Sequence, residues 1–134
     1  MGEHIGSEPM ARILVIDDDA DTRAMLEQTL KAVGHEVVLA ADGREGVERY
    51  RTSPADLVIT DIYMPKQDGL ETTREFHLRF PEVKIIAMSR RALAVTMLSI
   101  AQDLGAVAVL HKPFAAEELT AAVSKALGGK SAAR

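Results

Sequence analysis

Apolar positions along the chain fall into two alternating kinds of segment. Short, nearly continuous apolar runs occur at 13–16, 36–40, 57–60, 83–88 and 107–110, most of them rich in Val and Ile. Runs of that length and composition predict parallel strands covered on both faces. The intervening segments show helical spacing. Ala24, Leu26, Leu30 and Val33 mark the first, which ends at Gly34, a residue suited to a helix C-terminus. Residues 43–51 form a more polar second segment, and residues 70–80 a third, stopped by Pro81. Leu93, Met97, Ile100 and Leu104 form the apolar stripe of a fourth, before Gly105. Leu119, Val123 and Leu127 form that of a fifth, before Gly128 and Gly129. Regular alternation of strand and helix predicts an α/β fold, a parallel sheet with helices on both faces. The helical stripes are read as core packing.

Composition narrows this picture only a little. A chain of 134 residues with 47% hydrophobic and 27% charged residues suits one globular domain. It is expected over 11–127, with flexible ends at 1–10 and 128–134. Without cysteine there is neither a disulfide framework nor a zinc–thiolate site. A net charge of −4 lacks the basic stripe of a nucleic-acid binder. The N-terminus has neither the basic start nor the apolar run of a signal peptide, and no apolar stretch is long enough to span a bilayer. These features predict a soluble, cytoplasmic protein without membrane insertion or direct nucleic-acid contact.

The candidate chemistry lies where strands end. In a doubly wound sheet, ligands bind outside the carboxyl ends of the strands. After the first strand come Asp17, Asp18 and Asp19; after the third, Asp61; after the fourth, Ser89; after the fifth, Lys112 and Pro113. Each residue alone has a bland explanation. Asp18 or Asp19 can cap the first helix and Ser89 the fourth, Asp61 can be a turn residue, and Lys112 a solvated charge. Together they deliver carboxylates, a hydroxyl and an ammonium to one rim. Clustered carboxylates repel one another unless a cation binds, and Mg²⁺ takes oxygen ligands. A carboxylate such as Asp61 can act as a nucleophile and form an aspartyl phosphate. Phosphoryl transfer depends chiefly on positioning and on neutralising oxygen charge. A divalent ion held by Asp17, Asp18 and Asp61 would supply this, aided by Lys112 and Ser89.

These residues resemble those of response-regulator receiver domains. Ile13-Leu14-Val15-Ile16-Asp17-Asp18-Asp19 is similar to the family's opening segment. Asp61-Ile62-Tyr63-Met64-Pro65, continuing through Asp68-Gly69, resembles its phosphoacceptor segment. Ser89 is similar to its switch hydroxyl, and His111-Lys112-Pro113-Phe114 resembles its lysine–proline–phenylalanine segment. The resemblance spans about residues 11–127 and implies a flavodoxin-like, five-stranded parallel sheet in the order 2-1-3-4-5. It implies phosphotransfer to Asp61 from a sensor histidine kinase or histidine phosphotransfer protein, a self-catalysed modification rather than enzymatic turnover. Mg²⁺ would be bound by Asp18, Asp61 and the backbone carbonyl of Tyr63, with Asp17 acting mainly through water. Ser89 and Lys112 would contact the phosphoryl group, and the Lys112–Pro113 bond would be cis. Thr22, Arg23 and Leu26 would lie near the kinase-docking surface. The fourth helix, fifth strand and fifth helix would form the output face, where Val95 is a candidate exposed residue. With only a short tail after Leu127, output is expected through a downstream protein target or onward relay, from a monomer or weak dimer. A fragment of a larger regulator would share these features.

Two positions depart from the family's pattern. Val109 stands where a Phe or Tyr is usual, so a ring cannot report the switch there. Arg90, followed by Arg91, stands where a small residue is usual. The expectation is that Arg90 and Tyr63 set the lifetime of the phosphoryl group. Two rival functions are compatible with parts of this pattern. One is a receiver-like binding module that is never phosphorylated. The other is a haloacid-dehalogenase-like phosphatase, using Asp17 and Asp19 or Asp19 and Asp21, which would leave the Asp61 segment unexplained. The acidic loop after the first strand argues against a flavin-binding flavodoxin.

Overall fold

Strand β1 (Arg12–Ile16) shows why the chain folds as a layered sheet. Ile13 and Val15 point to one face, Leu14 and Ile16 to the other, and all four are buried. A strand apolar on both sides needs cover on both sides. The computed structural model describes residues 11–62, 69–90, 99, 102–103 and 105–128. Within these, β1 is followed by α1 (Ala20–Ala32), β2 (Glu36–Ala40), α2 (Gly43–Thr52), β3 (Leu57–Asp61), α3 (Gly69–Arg79), β4 (Lys84–Arg90), β5 (Ala108–Lys112) and α4 (Ala116–Ala126). The five strands are parallel, as the apolar pattern predicts, and lie in the order β2-β1-β3-β4-β5 that the resemblance implies.

Each face has its own core. Ile13, Val15, Leu57, Ile59, Ile86 and Met88 pack beneath α1 and α4, which contribute Leu26, Leu30, Leu119 and Val123. On the other face, Leu14, Ile16, Val58 and Ile85 meet Val47 and Tyr50 of α2 and Phe76 of α3. The Tyr50 and Phe76 rings meet edge to face, with centroids 5.4 Å apart. At Gly46 a Cβ would collide with the Ile16 side chain, so glycine allows α2 to lie directly on β1.

The helices begin where polar side chains satisfy free N–H groups. The Asp19 carboxylate accepts the N–H of Thr22 (3.0 Å) and its hydroxyl (2.6 Å). Asp42 accepts the N–H of Glu45 (2.8 Å), whose carboxylate reaches back to the N–H of Ala41 (2.7 Å). After α1, Gly34 adopts a φ of 102°, the left-handed conformation expected there.

Several boundaries differ from the apolar pattern. β3 includes Asp61, β4 runs from Lys84 through Ser89 to Arg90, and β5 is displaced to Ala108–Lys112. Ser89 and Lys112 are therefore strand residues rather than residues after a strand. Backbone pairing sets these ends: Ser89 is in register with His111, and Arg90 with Lys112. The edge strand β2 is mostly half-buried, not covered on both faces. Of the predicted fourth helix, Ser99, Gln102 and Asp103 are helical, while Leu93, Met97, Ile100 and Leu104 lie outside the described residues. So do residues 1–10 and 129–134, Arg91 and Val95.

Candidate functional site

Asp17, Asp61 and Lys112 meet because their strands end on one side of the sheet. Asp17 directly follows β1 and is fully buried. Its backbone N–H still pairs with the carbonyl of Ala40 (3.1 Å), at the end of β2. Asp61 is the last residue of β3 and is 8% exposed. Lys112, the last residue of β5, donates through Nζ to Oδ2 of Asp17 (2.7 Å) and to Oδ2 of Asp61 (2.8 Å). One ammonium thus bridges two carboxylates. Asp18 is exposed, yet carboxylate oxygens of Asp17, Asp18 and Asp61 lie within 4.8 Å of one another.

The electrostatics follow from burial and crowding. Burial pushes the Asp17 carboxyl above the ordinary carboxylate range; bonds from Lys112 and the Asp19 N–H only partly offset it, and the Asp61 charge adds to the rise. Burial pulls the Lys112 ammonium down, but its bonds to Asp17 and Asp61 outweigh this and hold it above its usual value. Asp19, by contrast, is held low by the hydroxyl and N–H of Thr22. It is the helix cap, while Asp17 and Asp18 join the cluster.

The donor set fits a hard divalent cation. Three carboxylates converge against a single ammonium, which leaves them under-neutralised. Oxygen donors of this kind, with part of the shell left to water, suit Mg²⁺.

Ser89 is fully buried and lies one position beyond Met88, the register partner of Asp61. The Lys112–Pro113 bond is cis. Val109 is half-buried in β5. Tyr63 and the Arg90 side chain lie outside the described residues. One contact was not anticipated from the sequence: Arg23 Nη1 donates to the backbone carbonyl of Asp17 (2.7 Å). The resemblance places Arg23 only near a docking surface, yet it braces the loop carrying Asp17 and Asp18. Its place one turn into a helix capped by Asp19 was the available signal.

The carboxylates and the lysine thus gather at the strand ends of a doubly wound α/β sheet, the place where such sheets bind ligands. The family model for the response regulator receiver domain matches residues 13–124. The response regulator MprA of Mycolicibacterium vanbaalenii is 39% identical over 110 residues, covering 82% of this chain and 47% of that protein. The crystal structure of a response regulator receiver domain protein from Clostridium thermocellum superposes with a TM-score of 0.83 at 30% identity, covering 93% of this chain and all of that one. The receiver domain of NtrX from Brucella abortus superposes with a TM-score of 0.83 at 29% identity, covering 87% of this chain and 98% of that one. The chain belongs to the response regulator receiver domain family, the signal-receiving unit of two-component systems. It spans about half the length of the curated MprA relatives it matches. Among the described residues, no helix is long and apolar enough to cross a membrane.

Proposed function

We propose that the chain is a phosphorylation switch in which Asp61 accepts a phosphoryl group from a histidine kinase or histidine phosphotransfer protein. The observation that carries this reading is the Lys112 ammonium shared between Asp17 and Asp61 beside the exposed Asp18 carboxylate. One Asp61 oxygen attacks phosphorus, the bond from phosphorus to the donor's imidazole nitrogen breaks, and the nitrogen keeps the electron pair. The products are an aspartyl phosphate and a free histidine. Lys112 pairs with the oxygens of the transferred group, and the Ser89 hydroxyl donates to them. Asp17, Asp18, Asp61 and the backbone carbonyl of Tyr63 would hold Mg²⁺, which when bound neutralises phosphoryl oxygen charge. Asp17 is the deepest of these ligands, and Arg23 fixes its backbone.

The new charge on Asp61 biases an equilibrium between two conformations, which a downstream protein reads. In this reading the chain works in the cytoplasm and is modified rather than turning over a substrate. Arg90 and Tyr63 govern how long the phosphoryl group persists. Incubation with acetyl phosphate tests the reading. Wild type should gain the mass of one phosphoryl group in the presence of Mg²⁺, with much less after chelation, and Asp61→Asn should gain none. Equal incorporation in both proteins would refute Asp61 as the acceptor. No incorporation in either would favour a binding module that works without phosphate.

A further inference from the structure

At the end of the sheet opposite Asp61, the last turn of α2 and the segment after α3 frame a recess of about 420 Å³. Tyr50, Phe80 and Val83 line its apolar part, and Asp56, Glu82 and Arg51 bring charge to it. The Tyr50 and Phe80 rings pack against each other beside it, with centroids 4.5 Å apart and planes inclined at 44°. Tyr50 is only 9% exposed, and among the described residues its hydroxyl has no hydrogen-bond partner. The phenol shares the recess with the two carboxylates; burial, Glu82 and Asp56 together raise its pKa and keep it protonated. Among the described residues Glu82 has no ion-pair partner. Asp56 spends Oδ2 on the N–H of Arg12 (2.9 Å). Arg51, the cation at the rim, is turned toward Glu48 of its own helix (3.5 Å).

We propose that this recess binds a guanidinium group, the planar cation of an arginine side chain. Aromatic rings such as those of Tyr50 and Phe80 attract a cation, and a guanidinium packs on a ring better than an ammonium. Its fork of N–H donors can be shared between the Glu82 and Asp56 carboxylates, with the phenol oxygen as a further acceptor. A neutral ligand would leave Glu82 unpaired, and an anion would meet two like charges. The site is remote from Asp61 and does not depend on phosphorylation.

The chain has two tyrosines and no tryptophan, so in Tyr63→Phe the tyrosine fluorescence comes from Tyr50 alone. That variant is titrated with Nα-acetyl-arginine amide, with the uncharged citrulline analogue, and with a glycine-flanked arginine peptide. The arginine derivative should give a saturable change with half-saturation on the order of millimolar, as suits so small a ligand. Citrulline should bind at least about tenfold more weakly, the scale of a lost charged hydrogen bond. Glu82→Gln should weaken arginine binding to a similar degree, and Arg51→Ala should strengthen it by removing the competing cation. Circular dichroism confirms that each variant is folded. Peptide binding as tight as that of the amide identifies arginine on a partner protein, and binding of the amide alone identifies a small free ligand; both support the site. An unsaturable response, equal binding of citrulline, or unchanged affinity in folded Glu82→Gln would overturn the proposal.

Discussion

The two ends of the sheet carry similar charges to different effect. At the amino end, Arg12 Nε lies 3.2 Å from Glu36, with the side chains 36% and 43% exposed. Water screens that pair, and such pairs contribute little to stability. At the carboxyl end, the Asp17 side chain is 0% exposed and Lys112 19% exposed, and three carboxylates face one ammonium. Burial strengthens both the attraction to Lys112 and the repulsion among the carboxylates. The fold gains nothing from that surplus of negative charge. Crowded acids held near one lysine make a site suited to a further cation and a phosphoryl group.

The comparison breaks most visibly at Lys112. Lys112→Ala leaves Asp17 and Asp61 facing each other without a shared cation and should cost about 3 kcal/mol of stability in urea unfolding. Millimolar Mg²⁺ should recover part of the loss. A change no larger than that of a surface lysine would show that the bridge is not structural. Asp17→Asn should act in the opposite direction, stabilising the metal-free protein, because a carboxyl with a raised pKa is costly when ionised. The same variant should bind Mg²⁺ more weakly, as read by calorimetry.

A smaller effect comes from His35, buried at the turn between α1 and β2 with Nδ1 unpaired among the described residues. Burial holds its imidazole below the ordinary value of 6.5. As pH falls through that value the unfolded chain takes up a proton first, so stability present at neutral pH is lost on acidification. Asp17 has the reverse sign: its raised pKa makes the folded state bind a proton first. Urea midpoints at pH 7.5 and 5.5 should therefore fall more for wild type than for His35→Gln. Smallest of all, Glu36→Gln at the amino end should change stability by less than about 0.5 kcal/mol. A larger loss would erase the contrast between the two ends.

Much of this was legible in the residues because the governing rules are local. Apolar runs such as 57–60 located the strands, and their alternation with helical segments fixed the sheet's layering. The residues at strand ends then followed: Asp17, Asp18, Asp61 and Lys112 were identified from position alone, and the structure brings them together. The ends of β4 and β5 were not legible, since pairing of Ser89 with His111 and of Arg90 with Lys112 is set by neighbouring backbone. The same limit hid the Arg23 contact with the Asp17 carbonyl, which depends on how α1 leaves the sheet. The Tyr50 recess was hidden too, because Tyr50, Asp56 and Glu82 meet only through tertiary packing.

The central claim is that Asp61, rather than its buried neighbour Asp17, carries the phosphoryl group. Borohydride reduces an acyl phosphate and converts the modified aspartate to homoserine. Wild type treated with acetyl phosphate and Mg²⁺, reduced and digested, should yield homoserine at position 61 by peptide mass spectrometry, with Asp17 and Asp18 intact. Homoserine at 17 or 18, or a phosphorylated protein with position 61 unreacted, would contradict the account.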